Sequence, residues 1–485
     1  MSTFTCNNNS RKNRQSLPVL TSQKNKLPTF NVACFSGWLA CLLITIIITG
    51  GVAVAQREVR LPALPADLPN GDLSVKIAAD GDYFIHGYSV RHSDGEYESL
   101  VKMYTRNTDG GWEDQPIWAM SKGDLHSYGG RRYKVLGIRN VAIHKDLAAF
   151  SFAAEGGGGF IVVYRKNNFG WKFTHIRNGL FEAGYGIGLS LYDSGNPATS
   201  RLAAGAPWMD GGTGGRVYLY RFDASWVTTG LQEFSPEGFS RFEEGTHIAV
   251  SQDYLAFRAS DPGLTFVSVY SFPDRTWRTH SYPGTMFNDE VFPNKMAIAN
   301  NRLLVTEIPP KADGTRRVAI YDLEANNLNS PTVLESPSLN DGFGFQNDMY
   351  YNTDDEHYYL AISTPLDYTS STSEKFGAVY LYKSKGGQNW SSTQPFLVIE
   401  NKNRREQAEL GRVIALSKSG LLAGTVDHEL YFFDFSPAAP QIVSQQNTSG
   451  SIEFNWKDNT PTDPGEFLAN SYSVFDENGN TLLSE

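Results

Sequence analysis

The feature that most constrains the fold is a unit of three short strands that recurs along the chain. Its clearest copy spans residues 184–222. A glycine cluster leads into an apolar run, Ile187–Tyr192, and a second run ends in Gly205-Ala206-Pro207. A glycine-rich turn then precedes the alternating stretch Arg216–Tyr220. Because so many turns fall within so few residues, the unit cannot be helical and must be built from strands.

Six further segments repeat this order of strands and turns, and all seven end on an aromatic residue. The seven aromatics are 50 to 61 residues apart, at positions 104, 164, 220, 270, 321, 382 and 433. In five segments a tryptophan follows, which indicates the start of a fourth strand: Trp112, Trp171, Trp226, Trp277 and Trp390. Seven copies with this period predict an all-β chain that forms a seven-bladed β-propeller of four-stranded antiparallel blades. A β-solenoid or paired sandwiches are the alternatives, and the long period favours the propeller.

The last segment indicates how the ring closes. It ends at Phe433–Phe435, and the linker Ser436–Pro440 follows without a tryptophan strand. Arg57–Leu61 is a short alternating stretch that precedes the first segment. We predict that the propeller spans residues 56–435, with Arg57–Leu61 completing the last blade.

The first 55 residues have the composition of a targeting segment. They contain no acidic residue, five basic residues and the apolar run Val32–Thr49, followed by Ala53-Val54-Ala55. This pattern predicts a signal peptide cleaved before Gln56, or a membrane anchor if it is not cleaved. All three cysteines lie here, so the mature chain would have no disulfide. We therefore expect a secreted, periplasmic or cell-surface protein that meets a membrane only through an uncleaved leader.

The last 45 residues, 441–485, predict an incomplete β-sandwich-like segment. Ser451–Trp456 alternates, with Ile452, Phe454 and Trp456 on one face. This resembles the first half of a fibronectin type III domain, which needs about 100 residues to close. We expect either a fragment of a longer product or a disordered tail, and favour the fragment.

The net charge limits the class of partner. Without the leader, 37 basic residues face 52 acidic ones, a net charge of 37 − 52 = −15. Because phosphate contacts require a positive surface, we expect no nucleic-acid partner.

The repeat resembles the FG-GAP repeat of integrin α subunits and of bacterial surface proteins. The resemblance rests on Gly205-Ala206-Pro207 with Gly215–Tyr220, and on Phe343-Gly344 with Gly377–Tyr382. It implies a seven-bladed propeller, and in integrins several such repeats hold calcium between their first and second strands. This chain departs from the calcium pattern: the residues nearest to it are Asp193, Asp354 and Asp355, and the ligands that should follow them are missing. We therefore predict no metal and no cofactor, and calcium at these three residues is the alternative.

No catalytic constellation stands out in the sequence. The nine histidines are scattered singly, and Gly188–Tyr192 lacks the second glycine of a hydrolase elbow. Aromatic, acidic and arginine residues in the blade-connecting loops are the binding candidates: Trp208, Asp210, Tyr368, Arg404 and Arg405. We predict an exported, non-catalytic protein that binds protein or glycan. A carbohydrate-active hydrolase using the propeller funnel and an architectural domain of a larger adhesin or toxin-like protein are the alternatives.

Overall fold

A computed structural model shows a chain built from β-strands. It describes residues 2–7, 19–22, 57–60, 72–106, 112–120, 125–128, 131–179, 184–209, 214–234, 247–261, 264–283, 296–307, 316–325, 328–337, 342–365, 377–387, 390, 394–400, 409–425, 429–435, 437–438, 441–448, 451–457, 467–468, 472–475 and 481–484. Strands before residue 72 and after residue 436 are described as backbone only.

The chain divides into two compact units, Met1–Val59 with Phe433–Glu485, and Arg60–Phe432. The strands of the first unit are short: β1 (Ser2–Asn7), β2 (Val19–Ser22), β3 (Arg57–Arg60), β32 (Pro437–Ala438), β33 (Gln441–Thr448), β34 (Ser451–Lys457), β35 (Phe467–Leu468), β36 (Tyr472–Phe475) and β37 (Thr481–Ser484). In this unit β1 pairs with β34, and β2 pairs with β36. The leader, the linker and the fibronectin-like segment stay predictions.

Seven antiparallel sheets form a ring, as the sequence predicts; each has four strands in the same order from the axis outward, and the second has one more. The first strands are β4 (Asp72–Asp80), β9 (Arg131–His144), β13 (Leu189–Tyr192), β17 (Ile248–Val250), β21 (Ala297–Ala299), β25 (Asn347–Asn352) and β29 (Val413–Leu416). The second strands are β5 (Tyr83–Arg91), β10 (Leu147–Ala154), β14 (Arg201–Met209), β18 (Tyr254–Asp261), β22 (Arg302–Glu307), β26 (His357–Thr364) and β30 (Gly420–Gly424). Each first strand contacts the next one, and β29 contacts β4, so the first strands surround the axis.

The outer half of each blade consists of the remaining two strands. The third strands are β6 (Tyr97–Arg106), β11 (Gly159–Asn167), β15 (Gly214–Phe222), β19 (Leu264–Ser271), β23 (Arg317–Asp322), β27 (Ala378–Lys385) and β31 (Leu430–Asp434). The fourth strands are β7 (Trp112–Met120), β12 (Gly170–Gly179), β16 (Thr228–Phe234), β20 (Thr276–Pro283), β24 (Thr332–Glu335), β28 (Leu397–Glu400) and β3. All seven recurrent aromatics therefore lie on third strands, and β3 is the outer strand of the seventh sheet.

The hydrophobic core lies in the seams between neighbouring blades. In β14, Leu202 and Ala204 pack in the seam with blade two, whereas Ala203 packs in the seam with blade four. Alternate side chains of a strand point to opposite faces of its sheet, so a strand buried on both faces has a continuous apolar run. The recurrent tryptophans lie at these seams as well: Trp171 packs with blade one, and Trp226 packs with blade two. Trp226 and Trp390 precede their fourth strands rather than starting them.

A glycine before the first strand lets neighbouring blades approach closely. Gly186 has a φ of +85°, and a Cβ there would lie 2.7 Å from the Cβ of Ser151 in the preceding blade. The Ser151 hydroxyl donates a hydrogen bond of 2.7 Å to the Gly186 carbonyl. Gly344 and Gly411 have the same left-handed backbone and a close neighbour in the preceding blade. This contact explains why glycine recurs at the start of the repeat.

Candidate functional site

The connections around the axis differ between the two faces of the ring. We call the face that carries the first-to-second and third-to-fourth connections the turn face, and the opposite one the loop face. The first-to-second connections have two to eight residues, whereas the connections from a fourth strand to the next first strand have nine to thirteen. Long connections on a rigid scaffold are where binding residues are usually found.

Four of the five predicted binding residues belong to three connections of the loop face. Trp208 lies inside β14, one residue before its end, and not in a loop as the sequence suggested. Asp210 follows this strand, Tyr368 lies between β26 and β27, and Arg404 and Arg405 lie between β28 and β29. These four residues lie outside the described residues. The strand directions thus bring the three connections to one face, and the binding role of these residues stays a prediction.

Hydrogen bonds between neighbouring blades fix the short turns of the turn face. Ser417 Oγ donates to the Gly81 carbonyl at 3.1 Å, and Ser419 Oγ donates to Asp82 Oδ1 at 2.6 Å. Tyr192 donates to Gln252 in the next blade at 3.1 Å. The turn face near the axis is therefore a set of cross-linked turns.

Asp193 is a structural residue of this face. Its buried carboxylate accepts hydrogen bonds from the Gly195 amide at 2.8 Å and from Ser200 Oγ at 3.0 Å. The second oxygen accepts from the Asp146 amide at 3.3 Å, which connects it to blade two. Its own amide donates to His144 Nδ1 at 3.0 Å, and burial lowers the pKa of His144. These donors hydrogen-bond to both oxygens of the Asp193 carboxylate, at the position where the FG-GAP resemblance would place calcium.

Asp354 and Asp355 also have partners within the protein. Asp354 forms an ion pair of 2.6 Å with Lys418 of blade seven. Asp355 accepts from the Tyr359 hydroxyl at 2.7 Å, and burial, followed by this carboxylate, raises the pKa of Tyr359. Within the described ranges, no group of three or more His, Cys, Asp or Glu residues lies close enough to hold a metal ion.

The loop face also has a hairpin where blades one and two meet. Blade two has a fifth strand, β8 (Leu125–Tyr128), which pairs with the first four residues of β9. Because β9 ends at the turn face, this β8–β9 hairpin stands at the loop face. Lys134 Nζ forms an ion pair of 2.7 Å with Glu96 in the β5–β6 connection. This contact raises the pKa of Lys134, as do the nearby charges of Glu155 and Asp94.

The repeat pattern does not predict this hairpin, although its turn residues are visible in the sequence. Gly129-Gly130 separates two stretches that mix aromatic and basic residues. Two glycines between short alternating stretches are typical of a two-residue hairpin turn. In the repeat pattern these residues fall between a fourth strand and the next first strand, where a connection and not a strand is expected.

Comparison with known proteins gives no family for the chain. No protein family and no curated protein matches it. Among solved structures it is similar to the Dos1 propeller, at 11% identity, over 80% of this chain and 97% of that one, with a TM-score of 0.44. It is similar to the β-propeller domain of the Trilobed protease from Pyrococcus furiosus at 14% identity, over 75% of this chain and 95% of that one, with a TM-score of 0.40. It is also similar to AofleA from Arthrobotrys oligospora at 10% identity, over 73% of this chain and 91% of that one, with a TM-score of 0.38. These likenesses are too distant to carry an argument about function, and the FG-GAP resemblance stays a prediction.

No helix among the described residues is long and apolar enough to cross a bilayer. The apolar run 32–49 lies outside them.

Proposed function

We propose that this chain is an exported, non-catalytic binding protein that recognises a glycan or a protein through the loop face of its propeller. The observation that carries the proposal is the difference between the two faces around the axis. The first-to-second turns on one face have two to eight residues and are cross-linked between blades, whereas the connections on the other face that lead from a fourth strand to the next first strand have nine to thirteen. The leader predicted over residues 1–55 supports export, and the acidic net charge disfavours nucleic acid.

A scaffold of this kind separates stability from recognition. The seams bury both faces of each blade, so most apolar strand residues stabilise the packing of neighbouring blades. The loop-face connections differ in length and sequence. Tyr368, Arg404 and Arg405 belong to them, and Trp208 lies near the end of the strand that leads into one of them. Aromatic and arginine side chains contribute much of the binding energy at protein surfaces.

Binding of the full chain to glycan and protein arrays tests the proposal. We expect a ligand whose affinity falls at least about tenfold in the Trp208→Ala, Tyr368→Ala or Arg404→Ala/Arg405→Ala variants. Lys385→Ala is the control, because Lys385 is exposed at the turn-face end of β27. Equal losses in the control and the loop-face variants would reject the loop face as the binding site. Cleavage of a bound glycan would reject the non-catalytic assignment.

A further inference from the structure

The outer hairpin of blade two is basic on an acidic chain. It consists of β11 and β12 and spans residues 159–179. These residues include four basic ones and no acidic one, whereas residues 56–485 have a net charge of −15. The basic residues are Arg165, Lys166, Lys172 and Arg177. The hairpin therefore reverses the charge of the chain locally.

Three of these residues lie on one face of the hairpin, the face that meets blade three. Arg165 and Lys172 pair directly across the two strands, and directly paired residues share a face. The Arg165 guanidinium carbon lies 3.7 Å from the ring centroid of Trp226 in blade three. Arg177 pairs with Ile161, which packs in the same seam as Trp226. We call Arg165, Lys172 and Arg177 the basic face.

Contacts with blade three hold the two arginines of the basic face in place. Arg165 is half-buried over the Trp226 ring, in a cation–π contact. Arg177 Nε donates a hydrogen bond to Thr228 Oγ1. Lys172 is exposed beside them. Side chains that are already ordered lower the entropic cost of binding a ligand.

The basic face has an excess of positive charge. Among the described residues, Arg165, Lys172 and Arg177 form no ion pair with a carboxylate. Burial and the charge of Arg177 lower the pKa of the neighbouring His175, and Asp223 is the carboxylate whose charge opposes them. Oδ1 of Asp223 accepts hydrogen bonds from two backbone amides of its own turn. One such carboxylate does not balance three cations.

An arginine in another outer strand shows how the fold uses such a residue for packing. Arg278 in β20 donates to the carbonyls of Leu323 and Ala325 in blade five. Among the described residues, Arg165 has no hydrogen-bond acceptor, and Arg177 has a single one. The basic face therefore keeps donors that the fold itself does not use.

We infer that the basic face binds a linear glycan that carries sulfate or carboxylate groups. Guanidinium groups bind such oxyanions through two parallel hydrogen bonds, and the Lys172 ammonium adds a point charge. Lys172 and Arg177 are five residues apart on β12, about 17 Å along the strand, which suits a polymer with repeated charges better than one small anion. The Phe169 ring, 85% exposed in the turn between β11 and β12, offers an apolar surface to a sugar. This site lies on the outer side of the ring and does not depend on binding at the loop face.

The small size of the basic face favours a thin ligand. A stable protein–protein interface buries about 800 Å² on each partner, whereas these cations are confined to one hairpin. The acidic remainder of the chain repels a bulky polyanion such as an acidic protein or a nucleic acid. An acidic peptide would add to the edge of β12, but the pairing of β12 with β11 shifts register between Val163 and Tyr164. Such a bulge twists an edge strand and protects it from pairing with another chain.

Binding of the full chain to dextran sulfate and to polygalacturonate tests the inference, with uncharged dextran as the reference. We expect at least one charged glycan to bind, more weakly as salt is added, and the comparison shows whether sulfates or carboxylates are preferred. The Arg165→Gln/Lys172→Gln variant should lower the affinity at least about tenfold. Lys172→Gln alone changes an exposed residue, so the fold is kept, and it should lower the affinity about threefold.

Lys383→Gln is the matched control. Like Arg165, Lys383 directly follows the recurrent aromatic residue of its third strand. It is exposed in blade six, with Nζ 5.4 Å from the ring centroid of Phe396. Because it lies in another blade, its replacement should change the affinity for the glycan by less than about twofold.

Three results would overturn the inference. They are the absence of binding to both charged glycans, an unchanged affinity in Arg165→Gln/Lys172→Gln, and tighter binding to poly-glutamate or to single-stranded DNA than to either glycan. Trp208→Ala separates this site from the loop face, because it should leave the binding of the charged glycan unchanged. If Trp208→Ala weakens a ligand found on the arrays and neither charged glycan binds, the proposed function stands and this inference fails.

Discussion

At the residue scale, the glycines of the repeat have a role that composition alone does not reveal. Gly186 combines a left-handed backbone with a close approach to Ser151 of the preceding blade. Gly195 has a similar φ of +80°, but a Cβ there would meet nothing within 4 Å. The two positions therefore separate the cost of backbone strain from the cost of crowding at a seam.

We predict that Gly186→Ala lowers the free energy of unfolding by about 2–4 kcal/mol, because both costs apply. Gly195→Ala, the control, should cost about 1 kcal/mol from strain alone. Urea unfolding followed by circular dichroism gives both values. Equal losses in the two variants would mean that the Ser151 contact does not restrict residue 186.

Asp193 illustrates a residue whose role changes once its partners are known. The resemblance to FG-GAP repeats placed it where calcium would lie, and in the structure its oxygens accept from Gly195, Ser200 and Asp146. The Asp146 amide belongs to the neighbouring blade, which no local pattern indicates.

We predict that Asp193→Asn destabilises the protein by about 1–2 kcal/mol, because one oxygen becomes an amide donor facing other donors. Asp146→Asn, which keeps the backbone amide, should cost less than about 0.5 kcal/mol. Thermal unfolding measures both variants. A rise in melting temperature with added calcium that Asp193→Asn abolishes would contradict this role.

His175 is a half-buried acceptor between blades two and three. Its Nε2 accepts from the Thr228 amide at 3.2 Å and lies 2.9 Å from Thr228 Oγ1. Burial, followed by the charge of Arg177, lowers its pKa to about 4. An imidazole that accepts a hydrogen bond at Nε2 must be neutral there.

This shift predicts acid destabilisation. In the unfolded chain the His175 pKa is about 6.5, so between pH 6.5 and 4 the unfolded state binds more protons than the folded one. Stability from His175 is present above pH 6.5 and is lost as the pH falls through about 4. We expect a loss on the order of 1–2 kcal/mol, reduced by partial solvent screening.

The His175→Gln variant is the comparison, because glutamine keeps an acceptor and does not titrate. Urea unfolding from pH 4 to 8 should show a smaller pH dependence for the variant. Parallel curves for the two proteins would show that His175 does not contribute.

At the element scale, the third strands were predictable and their seams were not. The seven terminal aromatics lie on third strands because alternation and turn residues are local properties of the sequence. Which aromatic meets which neighbour depends on the ring: Trp112 contacts Phe84 of its own blade at 4.8 Å and Phe432 of blade seven at 4.6 Å between ring centroids.

The outer strand of the seventh sheet gives a prediction at this scale. Replacing Arg57–Arg60 with glycine and serine should lower the melting temperature by about 10 °C, because β31 then becomes an unpaired edge. The same replacement at residues 62–65, outside the described strands, is the control. Differential scanning calorimetry would contradict the pairing of β3 with β31 if both replacements had the same effect.

At the scale of the whole molecule, the ring joins each blade to two neighbours. First strands contact one another all the way round, including β29 with β4. In an open solenoid, damage to one repeat can unfold part of the array. In a closed ring we expect damage at one seam to lower the stability of all blades together.

Phe150→Ala tests this expectation. Phe150 is fully buried in the seam between blades one and two, so the change should cost about 3–5 kcal/mol. Circular dichroism and tryptophan fluorescence should still give coincident unfolding curves, shifted together. Separate transitions for the two probes would indicate that the blades near Phe150 unfold independently.

The sequence by itself determined the number of blades, their strand order and the aromatic ending of each third strand. These follow from alternation, turn residues and period, which are properties of neighbouring residues. The tertiary structure decided the contact of Gly186 with Ser151, the partners of Asp193 and the division into a loop face and a turn face. The first two join residues 35 and 47 positions apart, and only the ring brings such residues together. The β8–β9 hairpin lies between these cases: its turn residues are visible in the sequence, but its place on the loop face depends on the direction of β9.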